Sequence, residues 1–166
     1  MDSQQPTHNP AGLPRAAILR GKEPFRALFQ EGKGFRQGSV VVKYRIAASP
    51  NQGSTAETTD LQPAVIAGFI VRKGKGGAIR RNRIRRLLRE SYRLVRHRFL
   101  QGLPHGVTLH LALLWSAPQE QSLLPPPPFA DVQNDVRRGL ERLHRKVMKD
   151  LHERHGIAAT EPRTTD

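Results

Sequence analysis

Residues 64–100, AVIAGFIVRKGKGGAIRRNRIRRLLRESYRLVRHRFL, decide how this chain folds. Ala64 to Val71 is apolar throughout, the composition of a strand covered on both faces and so central in a sheet. Arg72-Lys73-Gly74-Lys75-Gly76-Gly77 is a basic, glycine-rich turn. From Ala78 to Leu100 the period changes to that of a helix: Ile84, Leu87, Leu88, Ser91, Tyr92, Val95 and Phe99 fall on one stripe, which a sheet would bury. Arg81, Arg85, Arg89 and Arg93 repeat every four residues along the adjoining side, flanked by Arg86 and Arg96. Like charges at that spacing destabilise a free helix by about 0.2–0.5 kcal/mol per pair, so the row calls for a partner of opposite sign. Arginine in place of lysine favours planar, bidentate phosphate contacts. The turn lacks the G-x-x-x-x-G-K-[ST] spacing of a nucleotide-hydrolase loop, and is read as a flexible approach of backbone N–H groups to a phosphate.

Working outward, Val107 to Trp115 and Ser39 to Ala47 are two further strands. The second alternates Val40, Val42, Tyr44 and Ile46 with Val41, Lys43 and Arg45, an apolar face and a basic one. Arg15 to Glu31 carries Phe25, Leu28 and Phe29 at helical spacing, with Pro24 in the first turn and Gly32 as the C′ residue. A last helix is expected with Asp131 as N-cap and Val132, Val136, Leu140, Leu143, Val147 and Leu151 along one side. The organisation expected is a disordered arm at 1–14, one domain at 15–155 and a disordered tail at 156–166. Within the domain lie a polar loop at 49–62 and a proline-rich linker at 118–128.

The whole chain has 166 residues, with 28 Lys+Arg against 14 Asp+Glu and a net charge of +14. Between Arg72 and Arg98 twelve bases face Glu90 alone, so this window holds +11 of that total and the rest reads as a near-neutral body. A polyanion is the expected partner. Zero cysteines exclude disulfides, thiolate zinc sites and a cysteine nucleophile. With no apolar run long enough for a bilayer and no basic-then-apolar leader, a soluble, cytoplasmic chain is expected.

Other constellations are weaker. His152 and His155 have the spacing of a metal-binding pair but no third ligand, and are read as solvent-facing. His110 is read as a strand histidine satisfied by backbone, Asp131 and Asp135 as cap and first-turn charges, and Trp115 as packing. Phe25 and Phe29 suit both a core and a stacking role. No arrangement of side chains suggests a catalytic site in the protein.

The core motif Ala78-Ile79-Arg80-Arg81-Asn82-Arg83-Ile84-Arg85-Arg86-Leu87-Leu88-Arg89-Glu90, following a strand and a Lys/Gly turn, resembles the RNR motif of the bacterial ribonuclease P protein family. Phe25, Phe29 and Gly32 resemble its first-helix pattern, and the resemblance runs over Arg15 to about Glu153. It implies an α+β, two-layer α/β sandwich of the ribonuclease P protein/ribosomal protein S5 domain 2-like type, ordered α-β-β-β-α-β-α with a left-handed βαβ crossover. It implies a protein subunit that binds the catalytic RNA and the 5′ leader of precursor tRNA, promoting 5′ maturation by an endoribonuclease whose catalytic site is in the RNA. Magnesium would be held by the RNA subunit and substrate. Neither a membrane nor an obligate protein partner is implied. Residue by residue, the RNA-subunit contacts fall on Lys73, Arg81, Asn82, Arg83, Arg85, Arg86 and Arg89, and the leader contacts on Phe25, Phe29, Lys43 and Tyr44. Gly74 stands where the family usually has a second lysine, and Lys43 and Tyr44 are both candidates for the leader side. The competing readings are a structural rRNA-binding or ribosome-assembly protein, and a DNA-binding module. The second lacks the preceding helix at a short turn that a helix-turn-helix needs.

Overall fold

The computed structural model describes residues 12–48, 62–73, 76–116 and 125–158. Residues 1–11 of the expected arm, the loop at 49–61, Gly74 and Lys75 of the turn, the first part of the proline-rich linker and residues 159–166 of the expected tail lie outside them; Leu13, expected in the arm, is buried in the core, and the last helix runs to Ala158, into the expected tail.

A 3-10 turn at Arg15–Ala17 leads to α1 (Lys22–Glu31), β1 (Lys33–Gln37), β2 (Val40–Ala48), β3 (Ala64–Val71), α2 (Ala78–Gln101), β4 (Thr108–Trp115) and α3 (Phe129–Ala158). The sheet order is β1-β2-β4-β3, antiparallel except for the parallel β3/β4 pair joined through α2. Among the described residues the result is an α+β fold with a four-stranded mixed sheet and three α-helices, in the element order the resemblance implied.

The alternation in β2 sorts the two faces as expected. Val40, Val42, Tyr44 and Ile46 join the main core with Val65 and Ala67 of β3, beneath α2 and α3. Ile84, Leu88, Tyr92 and Phe99 of α2 and Val132, Val136, Leu140, Leu143, Val147 and Leu151 of α3 close it, all of them buried. Fully burying each such aliphatic chain stabilises by about 1.5–3 kcal/mol before entropy is counted. The other face has a smaller core, in which Leu19 and Leu28 meet Ala112 and Leu114, with Phe25, Val41, Ile66 and Ile70 beside them. Leu19 also donates its N–H to the Ala67 carbonyl at 2.9 Å, and Ile18 bridges to Ala67, so the outer edge of β3 is partly covered.

Two local expectations are corrected. Gly32 ends α1 in an extended conformation, φ −75°, ψ 152°, with its N–H on the Leu28 carbonyl at 3.0 Å, so a left-handed C′ residue is not what stops the helix. Asp131 is a first-turn residue of a helix that starts at Phe129, where its carboxylate still complements the helix dipole. Strand β1, which the resemblance implied but the residue pattern did not place, turns into β2 through Gly38, whose φ of +55° suits glycine. Asp135 of α3 reaches that turn and accepts the Ser39 N–H at 2.9 Å.

Candidate nucleic-acid interface

The apolar stripe of α2 sets the direction of its arginines. With Ile84, Leu88, Ser91 and Tyr92 against the sheet, Asn82, Arg85, Arg86 and Arg89 emerge along the β3 side of the helix. The row from Arg81 to Arg93 rises about 18 Å at 1.5 Å per residue, a few phosphate spacings. Its members differ in freedom. Arg81 folds back to donate to the Gly76 carbonyl at 2.7 Å, bracing the glycine turn. Arg85 donates to Asn82 Oδ1 at 2.8 Å. Arg93 is held by both carboxylate oxygens of Glu90, at 2.9 and 2.6 Å, and this contact keeps the Glu90 carboxyl below its ordinary range. Arg83, Arg86 and Arg89 are exposed and make no ion pair or hydrogen bond among the described residues. Lys73 stands exposed in the turn, two residues past the end of β3.

Asn82, Arg85, Arg86 and Arg89 line a hollow of about 420 Å³ whose opposite wall is Phe25 of α1, Ile18, Leu19 and Phe69. The arginine row thus opens onto the first helix. Phe25 is fixed there by close approach to β3: a Cβ on Gly68 would stand 2.6 Å from Phe25 Cζ. Only a strand glycine lets the ring lie this low.

One turn further along α1, Phe29 is 38% exposed, and Lys43 Nζ lies 5.3 Å from its ring centroid. Two residues on in β2, Arg45 pairs with Glu31 at 2.7 Å, and the register sets His110 of β4 directly opposite it. Phe29, Lys43, Arg45 and His110 therefore form a strip beside α1 where the sheet is incompletely covered. An exposed ring beside ammonium and guanidinium groups suits unpaired nucleotides, since stacking accepts any base and the cations take the backbone.

Tyr44 does not belong to this strip. Its side chain lies on the other face, 3% exposed, and its hydroxyl donates to Asp150 of α3 at 3.0 Å. Burial and the Asp150 carboxylate both push its hydroxyl pKa up. Of the two candidates in β2, Lys43 faces α1 and Tyr44 the core. His110 also differs from expectation, because its Nδ1 is buried with no hydrogen-bond partner among the described residues. Burial first and the Arg45 charge second hold its pKa below the ordinary value, so the neutral ring is favoured. This placement was not legible in the sequence, since strand register alone brings Arg45 and His110 together.

Neither surface fits a magnesium ion, a hard cation that takes oxygen ligands, because the groups presented are guanidinium, ammonium and aromatic. Among the described residues no three His, Cys, Asp or Glu side chains are grouped to hold a metal. His152 is exposed, and the His155 side chain lies outside the described residues. No helix among the described residues is long and apolar enough to cross a membrane.

A family model described as Ribonuclease P matches residues 13–124. The ribonuclease P protein component of Chloroflexus aurantiacus is 32% identical over 122 residues, 74% of this chain and 73% of that one. That of Salinispora tropica is 38% identical over 113 residues, 63% of this chain and 79% of that one. Among solved structures, the RNase P protein of Staphylococcus aureus aligns with a TM-score of 0.53 at 16% identity, covering 78% of this chain and 96% of that one. The Thermotoga maritima RNase P protein gives 0.52 at 23%, covering 75% and 96%. At these identities the structural likeness shows the fold alone.

Proposed function

The chain belongs to the bacterial ribonuclease P protein family, protein subunits of a ribonucleoprotein endoribonuclease of tRNA processing, and from that premise we propose how its two surfaces divide the work. The α2 surface, with Asn82, Arg83, Arg85, Arg86 and Arg89, binds the catalytic RNA subunit, and Lys73 extends it along the turn. Arg81 acts mainly by bracing that turn. The strip of Phe29, Lys43, Arg45 and His110 holds the unpaired 5′ leader of precursor tRNA, with Phe25 at the junction. Cleavage belongs to the RNA, which with its substrate holds the magnesium. The protein lowers phosphate repulsion between the two RNAs and positions the substrate by its leader.

One observation carries this reading: Phe25 of α1 and the α2 arginines wall the same hollow, so a strand leaving the aromatic strip at Phe29 passes Phe25 and meets the arginine row across that one hollow. The test is reconstitution with a bacterial catalytic RNA and precursor tRNAs with and without a leader, at low magnesium. Rescue is expected to depend on the leader, and the protein alone is expected to leave precursor uncleaved. Phe29→Ala should reduce the preference for leader-bearing substrate about 5- to 150-fold, the equivalent of one lost base stack. Tyr44→Phe should leave that preference as it is. Charge reversal at Arg85, Arg86 and Arg89 should abolish assembly with the fold retained. Rescue indifferent to the leader would favour a purely structural RNA-binding role.

A further inference from the structure

We propose that the outward face of α3 is a third RNA-binding surface, one that takes the phosphate backbone of an RNA duplex. Read as sequence, residues 129–158 hold seven bases and five acids and look like an ordinary solvated helix. The fold sorts those charges. At 100° per residue, Arg138, Arg142, Arg145, Lys146 and Lys149 occupy an arc of about 100°, turned away from the buried stripe and rising about 16 Å. Between residues 138 and 149 the single acid is Glu141, which lies outside the arc and pairs with Arg137 at 3.1 Å. Asp150, its side chain 12% exposed, is drawn inward to Tyr44 and to Lys33 at 2.7 Å. Asp135 is taken by the Ser39 N–H. Glu153, one turn beyond the arc, reaches Lys149 only at 3.7 Å.

The arc is also braced. Arg142 lies 4.7 Å and Lys146 5.6 Å from the centroid of one ring, Phe35 of β1, and Arg142 donates to the Arg36 carbonyl at 3.2 Å. Two cations sharing a ring repel each other, and an outside anion relieves that. Arg138 and Arg145 are exposed and make no ion pair among the described residues. A solvated face normally interleaves signs, as α3 does near its ends, whereas its middle presents one sign over a length matched to several phosphates. The surface lies beyond residues 13–124, the part of the chain that the family model matches, and is distinct from both surfaces assigned above.

The test uses the full chain, a blunt RNA duplex and phosphatidylglycerol vesicles, so that its outcome does not depend on the catalytic RNA or the leader. The variant R138Q/R145Q/K149Q replaces exposed positions with a good helix former, and thermal unfolding should match the wild type. Binding to the duplex over a salt series should lose slope by about 2–3 in log affinity against log salt, roughly 0.9 per phosphate contact removed. An unchanged slope overturns the proposal. So does a loss confined to the vesicles, which would assign the face to a lipid surface. Because the chain has no cysteine, Arg145→Cys can carry a single tethered iron chelate on an otherwise native protein. Hydroxyl-radical cuts in the duplex strands support the surface even where the triple variant folds poorly. Absence of cuts rejects it.

Discussion

The two faces of the sheet are covered unequally. One lies beneath α2 and α3, helices of 24 and 30 residues, and the apolar side of β2 is buried there from Val40 to Ile46. The other is met by α1, ten residues long, which covers Ala112 and Leu114 through Leu28 and leaves Lys43, Arg45 and His110 half-buried. Tyr44 and Lys43 are chain neighbours, yet one is core and the other half-buried beside α1, because successive strand residues point to opposite faces. The closed face supplies stability, and the open one retains polar groups that a complete core would not tolerate.

Three substitutions probe this contrast, in order of expected effect. Leu143→Ala, at a fully buried position of α3 on the closed face, should cost about 2–5 kcal/mol in urea or guanidinium unfolding. A loss below ~1 kcal/mol, well under that range, would mean that α3 is not part of the core. On the open face, Gly68→Ala places a methyl 2.6 Å from Phe25 Cζ and should cost about 1–3 kcal/mol as the ring is displaced. Unshifted Phe25 ring resonances in the variant would contradict that contact. The smallest effect belongs to His110. Its folded pKa is depressed, so the unfolded chain takes up the proton first and the native state loses stability as pH falls below about 6.5. His110→Gln should flatten this part of the profile between pH 7 and 5.5. A profile with the same slope as wild type would place the acid sensitivity elsewhere.

Long periodic segments were legible in the sequence, since β3, α2 and β4 carry their burial pattern within themselves. Three features were not. Lys33–Gln37, KGFRQ, has little strand character of its own and becomes a strand by pairing with β2, although the family resemblance implied a third strand before α2. The expected leader contact at Tyr44 grouped an aromatic with a neighbouring base, against the parity that already placed Tyr44 with Val40, Val42 and Ile46. The sequence also made the body outside residues 72–98 look near-neutral, because summing charge over α3 cancels bases against acids that the fold directs elsewhere.

The strand order has a consequence for the timing of synthesis. β4 pairs on one side with β2, Val40 opposite Trp115, and on the other with β3, so the strand that joins the two halves of the sheet is the last to be made. Until residue 115 has left the ribosome, β2 has only its hairpin partner and β3 has no full strand beside it. All of α2 precedes β4, so on a nascent chain the arginine helix emerges before the sheet that will bury its other side is complete. Pairings this distant in sequence make closure of the sheet a late step, and nascent chains ending short of Trp115 should expose both apolar strand and polycation at once.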